Sequence, residues 1–126
     1  MITTQLELLD VQEETFEAGT ILIEENSPGT NTFVLSTGEV SISINGKEIA
    51  LVSENGTIFG EMSALLGKSR GATVTASTDC KLYVLDDLLT FLRKNPELAI
   101  LLLKIMARRV DASNVQLTEK KWWQIF

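Results

Sequence analysis

A chain of 126 residues has room for one domain, and 44% hydrophobic with 22% charged residues is the mix of an ordinary globular protein. A net charge of −6 and a pI near 4.6 exclude a nucleic-acid surface, which needs lysine and arginine against many phosphates, so an anionic ligand has to be held by a local exception. The absence of histidine removes the usual triad base, the commonest zinc ligand and the metal cluster of a barrel-shaped oxygenase, so no enzyme activity, cofactor or metal is expected.

Met1 to Asp10 carries no basic leader before a long apolar stretch. The longest apolar run, Leu98 to Leu103, is far short of the roughly 20 residues of a membrane crossing. A cytoplasmic protein without membrane insertion is expected. From about Gln12 to Leu85 short strands alternate with turn signals, as in a sandwich or barrel. Turns are marked by Ala18-Gly19, Ser27-Pro28-Gly29, Thr37-Gly38 and Asn55-Gly56. Val40, Ile42 and Ile44 alternate with Ser41 and Ser43, and Asn45-Gly46 returns the chain through Ile49 and Leu51, which predicts a hairpin. Cys80 is alone and reads as a small buried hydrophobe.

The segment Phe59 to Thr73 is the most informative. Gly60 lets backbone approach a ligand closely, and Glu61 to Leu66 predict a short helix whose first amides form a natural phosphate seat. Arg70 adds a charge-assisted contact to the same phosphate, worth about 1.5–3 kcal/mol if sheltered, and Glu61 accepts from a sugar hydroxyl. The plainer reading of Glu61 and Arg70 is a structural ion pair on a loop. Gly67-Lys68-Ser69 does not make a triphosphate loop, because that motif needs a glycine where Met62 stands, and Lys68 reads as a solvated charge.

After Leu85 the period becomes helical. Asp86 or Asp87 caps a short helix carrying Leu88, Leu89, Phe91 and Leu92, and Asn95-Pro96-Glu97 opens a longer one, expected to run to about Thr118. One stripe of the long helix is Leu98, Leu101, Leu102 and Ile105; another is Leu103, Met106, Val110, Ser113 and Leu117. Trp122, Trp123, Ile125 and Phe126 form an apolar tail that docks on the domain or on a second subunit.

Phe59-Gly60-Glu61 followed by Arg70-Gly71-Ala72-Thr73 resembles the phosphate-binding cassette of cyclic-nucleotide-binding domains, the family that includes catabolite activator proteins and protein kinase A regulatory subunits. The resemblance extends to Gly19, Asn26-Ser27-Pro28-Gly29, Phe33-Val34-Leu35 with Gly38, Asn95-Pro96-Glu97 and Ala107-Arg108-Arg109. It implies a mainly β fold, a jelly-roll β-barrel (double-stranded β-helix) over about 12–85 with its cassette at 59–73. Flanking α-helices follow over 86–118, including the long C-terminal one, and then the tail 119–126. It implies a regulatory sensor whose ligand is cAMP or cGMP. The phosphate would be held by Arg70 and backbone near Gly60, Met62, Ser63, Ala64, Gly71 and Ala72, and the ribose 2′-hydroxyl by Glu61. Gly71, where a threonine accompanies cGMP preference, leans toward cAMP. Ser113 and Asn114 stand where the family meets the base, and Trp122 or Trp123 could form a base lid; a dimer seam or a solvent face is the other reading of Ser113 and Asn114. The alternative function is an interaction or oligomerisation domain with a vestigial pocket, forming a homodimer or engaging an effector through its last helix.

Overall fold

The computed structural model describes residues 2–115, the side chains of 113–115 excepted. Eight strands follow one helix, α1 (Ile2–Leu8): β1 (Glu13–Phe16), β2 (Ile21–Ile23), β3 (Thr32–Thr37), β4 (Val40–Ile44), β5 (Lys47–Val52), β6 (Ile58–Phe59), β7 (Thr73–Ala76) and β8 (Cys80–Leu85). α2 (Glu61–Leu66) interrupts them after β6, and α3 (Leu88–Lys94) and α4 (Pro96–Val115) close the chain. The strands form two antiparallel four-stranded sheets, ordered β1-β8-β3-β6 and β2-β7-β4-β5. This is the alternation of a jelly roll, but the expected closed barrel is not formed. The sheets remain open because the strands at their margins are too short to join: β6 has two residues, and β2 has three with a register shift inside them.

Alternate residues of each sheet fill the space between them, Phe33, Leu35, Val40, Ile42, Val74 and Leu82 among them. β3 and β8 are apolar on their second face as well, because Val34, Tyr83 and Leu85 meet a helical layer built from Ile2, Leu6, Leu88, Leu98 and Leu102. β4 has no such cover, and its Ser41 and Ser43 lie outward. The predicted hairpin forms, with Asn45 and Gly46 at φ 52° and 78°, the mirror-image turn that suits twisted strands. A bulge opposite Ile42 and Ser43 then shifts the register, so that Ala50 and Val52 face inward and Leu51 is exposed.

Asp87, not Asp86, caps α3, its carboxylate accepting from the Thr90 amide at 3.2 Å. α4 begins at Pro96 as expected, and the stripe headed by Leu98 and Leu102 packs on the domain, whereas Leu103 and Val110 of the second stripe stay exposed. α1 has no counterpart in the sequence reading; it is held by burial of Ile2 and Leu6 and by Thr3 Oγ1 donating to Asn55 Oδ1. Among the described residues no helix is long and apolar enough to cross a membrane.

Candidate functional site

β6 ends at Phe59, and Gly60 after it, with a φ of 85°, turns the chain into α2. A Cβ at Gly60 would stand 2.5 Å from Arg70 Nη1 and 2.8 Å from the Asn31 carbonyl oxygen, so the bare Cα is what lets these groups close over it. α2 lasts six residues and ends where Gly67, at φ 66°, donates its N–H to the Ser63 carbonyl. The following loop delivers Arg70 inward rather than to bulk water, with 6% of its surface exposed.

The Arg70 guanidinium donates from Nη1 to the Gly60 carbonyl at 3.0 Å and to Ser63 Oγ at 2.6 Å, and from Nη2 to the Asn31 carbonyl at 2.8 Å. All three acceptors are neutral, so these bonds occupy three of the guanidinium's N–H donors without supplying a counter-charge. Burial holds the Arg70 pKa below the ordinary arginine value, and the charge of nearby Glu61 works the other way. Beside it lies a cleft of about 60 Å³ lined by Gly60, Met62, Ser63, Arg70, Gly71 and Ala72, with apolar walls from Ile23, Ile42, Phe59 and Val74 and with Lys68 and Ser69 also on its lining. The cleft is partly open, so a ligand anchored at Arg70 can extend through its mouth.

Glu61 points the other way. Its side chain is wholly buried and pairs through Oε1 with Arg109 Nη1 of α4, not with Arg70 as the ion-pair reading expects. Arg109 Nη2 also approaches the Ile58 carbonyl, at 3.4 Å. Among the described residues Glu61 Oε2 has no hydrogen-bond partner. Burial pushes the Glu61 carboxyl above the usual carboxylate range, against the pull of the Arg109 guanidinium. The sequence reading assigned Arg109 no role; the only signal was its place in Ala107-Arg108-Arg109.

Residues 13–95 match the family model of the cyclic nucleotide-binding domain. The chain belongs to that family. Among proteins of known structure it is similar to the Thermus thermophilus catabolite activator protein, with 27% identity and a TM-score of 0.72 over 90% of this chain and 56% of that one. It is similar also to a protein of a cyclic-GMP-dependent signalling pathway that regulates bacterial phytopathogenesis, with 26% identity and a TM-score of 0.71 over 89% of this chain and 95% of that one. The regulatory domain of Toxoplasma gondii protein kinase A, solved with cAMP, shares 36% identity at a TM-score of 0.54 over 60% of this chain and 30% of that one.

This cyclic-nucleotide-binding domain thus gathers Gly60, Met62, Ser63, Arg70, Gly71 and Ala72 in one cleft and leaves Glu61 and Ala64 off its lining. The Ala64 amide donates to the Gly60 carbonyl at 3.3 Å inside α2. Ser113 and Asn114 belong to α4, but their side chains, like Trp122 and Trp123, lie outside the described residues.

Proposed function

We propose that the domain binds a cyclic nucleotide by its phosphate at Arg70, cAMP in preference to cGMP, and that occupancy reaches α4 through Glu61 and Arg109. The observation that carries this reading is a buried guanidinium whose three acceptors are all uncharged, in a protein of net charge −6. A cyclic phosphate supplies the missing negative charge and competes for the donors now held by Gly60 and Ser63. Drawing Arg70 off these two residues loosens the start of α2, and Glu61, the first residue of that helix, is tied to α4. The ligand then acts by its different affinity for two placements of α4. Glu61 Oε2 is an acceptor left over for the ribose 2′-hydroxyl once α2 shifts. Gly71 supports the cAMP preference, and Ser113 and Asn114 are the base contacts this reading calls for.

Calorimetric titration of cAMP and cGMP into wild type and Arg70→Ala tests it. Micromolar affinity, about −8 kcal/mol, is expected for wild type with cAMP, and loss of a sheltered charge-assisted contact worth about 1.5–3 kcal/mol for the variant. No heat with wild type ends the reading.

A second reading, an assembly module, is favoured by the exposure of Leu103 and Val110, at 67% and 61%, along one face of α4. Light scattering with and without nucleotide separates the two, since a pure assembly module is indifferent to ligand.

A further inference from the structure

The loop between β2 and β3 wraps the backbone of Arg70 from both sides. The Asn26 amide donates to the Arg70 carbonyl at 2.8 Å, and the Arg70 amide donates to the Ser27 carbonyl at 2.9 Å. The same loop receives the side chain at the Asn31 carbonyl. Between these anchors stands Gly29. A Cβ there would lie 2.7 Å from Arg70 Nη2, 2.8 Å from Nε and 3.1 Å from Cζ; its three nearest neighbours all belong to the guanidinium.

Gly29 differs in this from Gly60. At Gly60 the backbone is left-handed, and an added Cβ also meets the Asn31 carbonyl, so conformation and backbone both demand glycine. Gly29 is not among the positive-φ glycines, so its φ does not demand glycine. What a methyl group would displace at Gly29 is the flexible end of Arg70, which is 94% buried and, in yielding, has to leave the position set by its bonds to Gly60, Ser63 and Asn31 and shift relative to the adjoining cleft.

We infer that Gly29 is a positioning residue of the ligand site: its bare Cα is the seat on which the Arg70 guanidinium rests, and it acts on the ligand only through that guanidinium. The inference rests on the reading that Arg70 meets the phosphate, but the contact itself is testable without ligand. Wild type, Gly29→Ala, Arg70→Ala and Gly29→Ala/Arg70→Ala are compared by ligand-free thermal unfolding, and the first two also by calorimetric titration with cAMP. Gly29→Ala is expected to weaken cAMP binding at least tenfold and to lower the unfolding temperature when Arg70 is present. In the Arg70→Ala background it is expected to leave the unfolding temperature unchanged, because no guanidinium remains for the methyl to meet. Affinity within twofold of wild type, or equal destabilisation in both backgrounds, overturns the inference. If Gly29→Ala does not fold, the double variant is expected to fold, and failure of both overturns it too. A wild type that gives no heat with cAMP overturns the ligand reading alone, since the unfolding comparison still decides whether Gly29 seats Arg70.

Discussion

Arg70 and Glu61 flank one six-residue helix and are both cut off from water, at 6% and 0% exposure, yet their charges are managed in opposite ways. The guanidinium is held by two carbonyls and a hydroxyl, which bond it without neutralising its charge. The carboxylate is held by a second guanidinium on one oxygen and, among the described residues, by nothing on the other. A buried charge with neutral partners is suited to receiving a ligand, and a buried charge with a charged partner is suited to tying two helices together. In the function proposed above, recognition falls to the Arg70 flank of α2 and transmission to the Glu61 flank.

The largest effect that can break this comparison is expected at Arg109. Arg109→Met leaves the Glu61 carboxylate buried without its counter-charge, a loss of about 3–5 kcal/mol in denaturant unfolding, and Glu61→Gln/Arg109→Met recovers part of it. Equal stability of the single and double variants means the pair does not tie α2 to α4. On the other flank, Ser63→Ala removes one neutral acceptor from Arg70 and is expected to cost about 1.5–3 kcal/mol, the worth of a hydrogen bond to a charged group. A loss there as large as at Arg109 would erase the distinction.

A third effect sharpens the comparison through pH. The Glu61 carboxyl is raised by burial, so the folded state holds its proton more tightly than the unfolded chain does. Its contribution to stability is therefore complete below the ordinary glutamate range and is lost as pH rises through the folded value. The difference in unfolding temperature between wild type and Glu61→Gln, followed over a pH series, should fall across that window, and Arg109→Met should extend the window upward. The smallest effect belongs to Asp87, away from both flanks. Hydrogen bonds from Thr90 hold its carboxyl below the usual aspartate value, so its stabilisation is present above that value and fades as pH falls through the folded one. Asp87→Ala is expected to lower the unfolding temperature slightly at neutral pH and to leave cyclic-nucleotide affinity unchanged.

What could be read from sequence alone was governed by short-range chemistry. Gly60 precedes the short helix at Glu61 to Leu66, Asn45-Gly46 turns the hairpin and Asn95-Pro96 opens α4, because positive φ and fixed φ are properties of a residue and its neighbours. That Arg70 and Ser63 share one cleft was legible only through the resemblance of the cassette to the family. Only the tertiary structure decided that Glu61 pairs with Arg109, 48 positions away, that the Asn31 carbonyl holds Arg70 across 39 positions, and that a bulge turns Leu51 outward. Those outcomes depend on where distant segments come to lie once two sheets and a helical layer have packed. No local pattern encodes that distance.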